Sequence, residues 1–278
     1  MTRHITNSIS RQFGRFASHE FPHWFQKIVN GSYVKLMGLD MREFDVPASY
    51  PSLNALFTRR LKAARPMSPA ARDFISPCDS LITECGDLDD TRALQIKGMS
   101  YCVKTLLGSE ISDGNKVRIE HGQFINFYLS PSDYHRYHVP HDLKVLKAVH
   151  IPGKLYPVNM PSLNKRADLF IENERVVLEC ECAGGVLFYL VLVGALNVGK
   201  MQVDFEPRLQ TNADRLQPTA YIFEELFLKK GDDFGCFEMG STIVLITEKG
   251  TMDFRVKTGE KVRFGETIAT LLQRDPAA

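Results

Sequence analysis

Short apolar runs separated by glycine-containing turns fill the chain from about residue 74 onward. Of all features of the sequence, this pattern restricts the possible folds the most. The clearest runs are 117–119, 124–129, 176–178, 186–193, 242–246 and 267–272. Runs of this length and spacing are typical of β-strands rather than of helices, which are longer. The pattern therefore predicts an α+β fold in which one β-rich domain, with mixed or antiparallel sheets, carries the core.

The segment before this domain has helical periodicity instead. From Ile9, apolar residues recur at i, i+4 and i+7, and a second apolar stripe follows Pro22, a residue suited to a helix start. We therefore predict amphipathic helix over 8–37. Shorter helices are predicted over 51–62 and 100–108.

Charge is distributed unevenly between these two parts. Residues 1–66 carry ten Lys and Arg against four Asp and Glu, and the remainder carries 24 against 29. A basic amphipathic segment is typical of an anionic membrane interface, although a helix pair packed on the domain's own core is the alternative. We predict a membrane-associating helical region over 1–65 and a β-rich domain over 66–278.

Other features of the whole sequence limit the possible partners and cellular location of the protein. A net charge of +1 provides no global basic field for nucleic acid. No apolar run approaches the roughly 20 residues of a bilayer span, and the residues after Met1 lack the apolar core of a signal peptide. The six cysteines show no disulfide framework, which is typical of reduced thiols in the cytosol.

Three clusters contain residue types with catalytic potential. They are an acidic turn at Asp79, a histidine-rich stretch with His135, His138 and His141, and the pair Gly240-Ser241 before an apolar run. Asp, His and Ser can together activate a hydroxyl, because a base takes its proton and a carboxylate orients the base. Glycine leaves its carbonyl open to the hydroxyl that follows, which favours attack on the chain's own peptide bond. A turn-forming aspartate, hydrogen-bonded histidines and an ordinary strand start remain the structural alternatives.

The spacing of the three histidines also raises the question of a metal site. They recur at every third residue, which could present several ligands from one segment. Pro and Tyr residues among them argue against a regular helix, so convergence of three ligands is not guaranteed. We predict no metal site.

Several stretches between about residues 50 and 272 match the motifs of one family in order. They are Tyr50-Pro-Ser-Leu-Asn-Ala-Leu-Phe-Thr-Arg-Arg-Leu, Ser76-Pro-Cys-Asp79, Ile96-Lys-Gly-Met-Ser-Tyr with Leu106-Leu-Gly, Asp133-Tyr-His-Arg-Tyr-His138-Val-Pro, Gly153-Lys-Leu-Tyr-Pro-Val-Asn, Val193-Gly-Ala-Leu-Asn-Val-Gly-Lys, and Lys230-Gly231 to Gly240-Ser-Thr. As an ordered set, they resemble the phosphatidylserine decarboxylase family in its bacterial short form. Two positions depart from the family pattern: Met239 stands where Leu is usual, and Ser80 where Gly is usual.

The resemblance implies a proenzyme that cleaves itself between Gly240 and Ser241. In this mechanism His138, oriented by Asp79, takes the proton of Ser241, whose hydroxyl attacks the Gly240 carbonyl. Elimination from the resulting ester, followed by hydrolysis, leaves a pyruvoyl group in place of Ser241. The catalytic residues implied are thus Asp79, His138 and Ser241, together with His135 in the reaction that follows.

The resemblance also implies the reaction and its setting. The pyruvoyl group forms a Schiff base with phosphatidylserine, carbon dioxide leaves, and His135 returns a proton to give phosphatidylethanolamine. A β chain, 1–240, and an α chain, 241–278, should stay associated and form a homodimer. We expect the protein to lie peripherally on the cytoplasmic face of an anionic phospholipid membrane, with no metal, soluble cofactor or nucleic acid.

Three alternatives remain at this stage. An uncleaved, inactive relative could act as a lipid-binding module. The same chemistry could act on another amino-bearing substrate. A carrier domain of the biotinyl or lipoyl type is suggested by the C-terminal glycine-containing turns, but the sequence shows no modifiable lysine motif at a hairpin tip.

Overall fold

The computed structural model describes residues 5–96, 99–163, 165–196, 200–212, 217–238 and 241–273. Of the residues 5–9, 96, 160 and 241, only the backbone is described. The predicted cleavage pair is thus described in part: Gly240 and the side chain of Ser241 lie outside the described residues.

Seven α-helices are found in the described residues. In chain order they are α1 (Ile5–Ser18), α2 (His23–Met37), α3 (Leu53–Phe57), α4 (Val103–Leu107), α5 (Asp113–Arg118), α6 (Met160–Leu163) and α7 (Leu169–Glu172). The predicted N-terminal helices are confirmed, and Pro22 stands at the N-cap of α2. The helix predicted over 51–62 is only α3, and much of the segment predicted over 100–108 is α4.

Strands make up most of the regular structure after residue 72. They are β1 (Asp73–Ile75), β2 (Ser80–Asp87), β3 (Arg92–Ile96), β4 (Met99–Cys102), β5 (Gln123–Leu129), β6 (Arg136–His138), β7 (Leu143–Ile151), β8 (Arg175–Cys182), β9 (Val186–Val193), β10 (Met201–Val203), β11 (Thr219–Leu228), β12 (Asp233–Phe237), β13 (Ser241–Thr247), β14 (Met252–Phe254), β15 (Lys261–Val262) and β16 (Thr267–Leu271). The predicted α+β, β-rich class is therefore confirmed.

One large sheet forms the centre of the fold. Its strand order is β11-β7-β8-β9-β13-β5-β2-β15, and each neighbouring pair is antiparallel. Every residue of β9 is buried, as expected for a strand that is covered on both faces. Strand β13 lies between β9 and β5, so Ser241 begins a strand in the middle of the sheet.

Smaller sheets flank the large one and bring distant segments together. One has the order β10-β12-β6 and another β1-β16-β14, while β3 and β4 form a two-stranded ribbon. The first of these joins β6, which carries His138, to β12, which ends shortly before the predicted cleavage pair. This sheet is what positions the candidate site.

The N-terminal helices pack partly on one another. Ala17 from α1 forms a buried cluster with Leu53 and Leu56 from α3. The buried side chain of Asn30 in α2 donates hydrogen bonds to the carbonyl oxygens of Pro47 and Tyr50, at 2.9 and 3.0 Å. These contacts join the helices to residues 47–56 of the same N-terminal region rather than to the core of the β-rich domain.

One predicted strand is wrong. Residues 117–119 fall at the end of helix α5 and just beyond it. The Ser112 hydroxyl caps this helix by accepting a hydrogen bond from the backbone of Asn115 at 3.2 Å. An apolar run of three residues is too short to tell a strand from a helix turn, and the capping serine decides the outcome.

Candidate active site

Strand pairing places described residues on both sides of Gly240 near the histidine-rich segment. The backbone of Ser241 is opposite Leu129, the last residue of β5. On the preceding strand, the Phe237 amide donates a hydrogen bond to the carbonyl oxygen of His135 at 2.9 Å. Two independent strand contacts therefore place the backbone on either side of the pair close to the loop that carries His135.

His135 is a fully buried histidine with one open ring nitrogen. Its Nδ1 lies 2.9 Å from the carbonyl oxygen of Asp133, and its Nε2 has no hydrogen-bond partner among the described residues. Because a carbonyl can only accept, Nδ1 carries the proton and Nε2 presents a lone pair. Burial lowers the pKa of His135 to about 3. The ring is therefore neutral near pH 7 and suited to accept a proton.

Helix α3 supplies part of the wall around His135. The Phe57 ring lies 4.0 Å from the imidazole, measured between ring centroids. Buried Arg59 donates hydrogen bonds to the carbonyl oxygens of Ser132 and Asp133, at 3.1 and 3.2 Å. The segment predicted as a separate membrane region thus contacts the candidate site directly.

His138 is held by the backbone and by a phenol. Its Nδ1 lies 3.0 Å from the Gly231 carbonyl oxygen, so Nδ1 carries the proton, and its Nε2 accepts from the Tyr134 hydroxyl at 3.0 Å. The ring stacks on Phe264, with centroids 3.5 Å apart and planes at 13°. Burial lowers the pKa of His138, partly offset by the Gly231 hydrogen bond.

Asp79 takes a different partner from the one expected. Its carboxylate forms a two-pronged ion pair with Arg65, at 2.5 and 3.0 Å, and accepts a hydrogen bond from the Phe264 amide at 2.8 Å. Both ring nitrogens of His138 have other partners. The direct contact expected between Asp79 and His138 is therefore not present, and Phe264 links the two residues instead.

Arg65 explains this difference. Its side chain is only 7% exposed, and it also pairs with Glu43, at 2.9 and 3.2 Å. A buried guanidinium needs carboxylate partners to offset its loss of hydration, and Asp79 is within reach. Backbone contact still brings Asp79 near His138, because the His138 amide donates to the Pro77 carbonyl oxygen at 2.8 Å.

Several residues of the site were not singled out by the sequence. Tyr134 and Gly231 stand inside motifs of the family, but no rule of spacing shows that they bond to His138. Arg65 is noticeable only as one of several basic residues after α3, and Phe264 only as part of a late turn. Their roles depend on contacts between residues that are far apart in the chain.

Comparison with known proteins agrees with this arrangement. The model of the phosphatidylserine decarboxylase family matches residues 53–270. A phosphatidylserine decarboxylase proenzyme of Helicobacter pylori (strain Shi470) is 48% identical over 265 residues, which cover 95% of this chain and 97% of the relative. A proenzyme of the same name from Campylobacter jejuni is 44% identical, over 94% of this chain and 97% of the relative.

A more distant relative extends the likeness to eukaryotes. The mitochondrial phosphatidylserine decarboxylase proenzyme of Pongo abelii is 34% identical over 296 residues, which cover 96% of this chain and 72% of that protein. The family match spans well over half of the chain, from helix α3 to the last strand of the fold. The chain belongs to the phosphatidylserine decarboxylase family, a family of carboxy-lyases.

Proposed function

We propose that this protein is a proenzyme that cleaves itself at Gly240-Ser241 and then decarboxylates phosphatidylserine to phosphatidylethanolamine. The observation that carries the proposal is the hydrogen bond between Phe237 and His135, which holds the strand before the cleavage pair against a buried, neutral histidine. The relatives at 44–48% identity are named as proenzymes of this activity. The first step therefore concerns the chain's own peptide bond.

Self-cleavage needs a base and an open carbonyl. We assign His138 as the base that takes the Ser241 proton, after which the hydroxyl oxygen attacks the Gly240 carbonyl carbon and the peptide nitrogen leaves to give an ester. Loss of the Ser241 α-proton expels the Gly240 carboxylate and leaves dehydroalanine. Water then converts dehydroalanine to a pyruvoyl group and ammonia, so the atoms of the cleaved bond are all accounted for.

The two products share strands, so they should remain associated. The shorter chain would contain β13, whose neighbours β5 and β9 belong to the longer chain. It would also contain β15 and β16, which pair with β2 and β1. Separation would break the centre of the large sheet, at the cost of both hydrogen bonds and buried apolar surface.

The residues around the site fit a pyruvoyl group. When present at position 241, its ketone would condense with the substrate amine and withdraw electrons from the carbon that loses carbon dioxide. Within the described part of the chain, the buried Nε2 atom of His135 has no hydrogen-bond partner, so this side of the site suits a polar group. Burial near Phe57 would also limit access of water.

We assign His135 to the proton that must return to the substrate carbon. Its pKa of about 3 means that the ring is neutral before substrate arrives. An anionic group nearby would favour the charged form and raise this pKa. His135 should therefore take up a proton when the substrate binds, and deliver it after carbon dioxide has left.

The N-terminal helices support a peripheral place on an anionic membrane. Trp24 and Ile28 are 68% and 56% exposed, and Phe16 and Phe25 are also exposed. We call these four residues the apolar patch. Aromatic and aliphatic residues beside lysines such as Lys27 favour the membrane interface. No helix within the described ranges is long and apolar enough to cross a bilayer. We assign the apolar patch to the cytoplasmic face of the membrane. We also propose that the protein forms a homodimer.

Intact mass of freshly made protein tests the proposal. We expect two species split at Gly240-Ser241, the shorter one of 38 residues (278 − 240) with a pyruvoyl-blocked terminus. The Ser241→Ala variant should remain one chain of 31.5 kDa. The Ser109→Ala variant, which alters an exposed serine, should cleave like the parent. An uncleaved parent would leave a lipid-binding module as the explanation.

The substrate needs a second assay. The cleaved protein is offered phosphatidylserine in detergent micelles, or free serine, and carbon dioxide release is measured. Conversion of the lipid to phosphatidylethanolamine, with little release from free serine, is the expected result. Preference for serine or for another amine would retain the chemistry and reject the lipid as substrate.

A further inference from the structure

A basic cavity lies between helix α1 and the segment that precedes the cleavage pair. Its volume is about 320 Å³, and its lining comprises Arg11, Gly14, Arg15, Ser18, Lys200, Asn212 and Glu238. The four residues from α1 are spaced i, i+3, i+4 and i+7, so they form one face of that helix. Among the described lining residues, two guanidinium groups and one ammonium group therefore share the cavity with one carboxyl group.

The cavity is close to the site of chemistry. Glu238 stands three residues before Ser241, and its amide donates a hydrogen bond to the Lys200 carbonyl oxygen at 2.8 Å. On the same segment, the Phe237 amide bonds to His135. A ligand held in the cavity would therefore contact the segment that leads to position 241, one residue after the residue that bonds to His135.

The charge of the cavity favours an anion. Burial raises the pKa of Glu238, and only Lys200 opposes this shift. This environment therefore disfavours the charged form of the Glu238 carboxyl group, whereas Arg11 and Arg15 contribute cationic guanidinium groups. Arginine forks bind phosphate oxygens through paired hydrogen bonds, which suits a phosphodiester better than a carboxylic acid alone.

The same helix links the cavity to the apolar patch. Phe16, a member of that patch, follows Arg15 directly and is 46% exposed. A lipid with its acyl chains at the patch would thus have its head group beside Arg11 and Arg15. Helix α1 would then contact the head group, and it would share the contact with the acyl chains with α2, which carries the other three residues of the patch.

We propose that Arg11, Arg15 and Lys200 bind the phosphodiester of the lipid head group and so aim its amine at position 241. This inference rests on the proposed function for the identity of the lipid. The cavity itself exists in the uncleaved chain, so binding of a phosphodiester can be measured without activity. A membrane-attachment role alone would require the arginines to act on vesicles but not on a single soluble lipid molecule.

The test is calorimetric binding of dibutyroyl phosphatidylserine, a water-soluble lipid, to the uncleaved Ser241→Ala protein. Adding Arg11→Gln and Arg15→Gln should weaken binding about tenfold for each arginine, since the loss of a hydrogen bond to a charged group weakens affinity by about that factor. Lys200→Gln alone should also weaken binding, and this variant replaces the double variant in the test if the double variant does not fold. The matched control is Lys249→Gln with Lys257→Gln, two exposed residues outside the cavity lining, which should bind like the parent.

Two further probes identify the chemistry. Glycerophosphoserine should displace the lipid, free serine should not, and inorganic phosphate should compete more weakly than the diester. Three results would overturn the inference. The first is unchanged affinity in both the double variant and Lys200→Gln, and the second is displacement by serine as strong as by glycerophosphoserine. The third is absence of binding to the Ser241→Ala protein. Cleavage of the parent is followed separately on a gel. A parent that does not cleave, with binding that still depends on the arginines, would reject the proposed function and keep this site.

Discussion

The hydroxyl of Tyr134 donates a hydrogen bond to Nε2 of His138, with the two atoms 3.0 Å apart. Burial raises the pKa of Tyr134, so the phenol keeps its proton and acts as the donor. The lone pair that a general base needs is therefore occupied in the structure. If His138 takes the proton of Ser241, this hydrogen bond has to open first.

Replacement of Tyr134 by phenylalanine tests that order of events. We expect Tyr134→Phe to cleave within about threefold of the parent rate or faster, because Nε2 of His138 becomes available without breaking a bond. Time courses of cell-free synthesis would give the rate. The matched control is Tyr101→Phe, which removes a buried phenol that bonds to Asn126 at 3.0 Å. If the cleavage rate instead falls about 100-fold in Tyr134→Phe but not in Tyr101→Phe, the Tyr134 phenol takes part in the proton transfer.

The ion pairs of Arg65 predict a large difference between two arginines that share a partner. Arg65→Met should lower the free energy of unfolding by about 3 kcal/mol, because it leaves the carboxylates of Asp79 and Glu43 without their buried cation. Arg263 also pairs with Glu43 but is 53% exposed, so Arg263→Gln should cost less than about 1 kcal/mol. Urea unfolding of both variants in the Ser241→Ala background would measure this. Equal losses would contradict the prediction.

Burial of His135 predicts that stability falls in mild acid. Its pKa is about 3 in the folded protein against an ordinary 6.5, so the unfolded chain binds a proton first. The contribution of this group is therefore complete above pH 6.5 and is lost as the pH falls from 6.5 towards 3, by at most about 1.4 kcal/mol per pH unit. Buried His138, whose pKa is also lowered, acts in the same direction.

Unfolding by urea at about pH 7.5 and about pH 5.5 would reveal this contribution, again in the Ser241→Ala background. The His135→Gln variant should lose less stability between the two conditions than its parent. The His23→Gln variant alters an exposed histidine and should lose as much as the parent. A His135→Gln protein with the parent's full pH dependence would show that His135 is not held neutral.

Sequence patterns predicted the class of fold, and they also indicated candidate residues for the site, for identifiable reasons. The spacing of apolar residues and the length of the apolar run distinguish the buried strand β9 from helix α2, because both features depend only on the local sequence. The histidines and the Gly240-Ser241 pair are recognisable as residue types. The partner of Asp79 could not be predicted in this way. Arg65 reaches it from 14 residues away in sequence, and which buried cation a carboxylate meets is decided by tertiary packing.

The apolar patch predicts a direct optical signal of membrane binding, because Trp24 is the only tryptophan in the chain. Its side chain is 68% exposed, so its emission should resemble that of tryptophan in water. Addition of vesicles that contain phosphatidylserine should shift the emission to shorter wavelength as the indole enters the interface. Neutral phosphatidylcholine vesicles should give a smaller shift, since they do not attract the basic N-terminal region.

A matched pair of variants separates this patch from other exposed apolar residues. Ile28→Ser should reduce cosedimentation with anionic vesicles, because it removes apolar area from the membrane-facing side. Ile222→Ser alters an isoleucine on β11 that is 75% exposed, and should sediment with vesicles like the parent. Both variants should still cleave, since both side chains are mostly exposed. Another surface must attach the protein to the membrane if the two variants lose vesicle binding equally. The same conclusion follows if the protein binds vesicles while the emission of Trp24 does not shift.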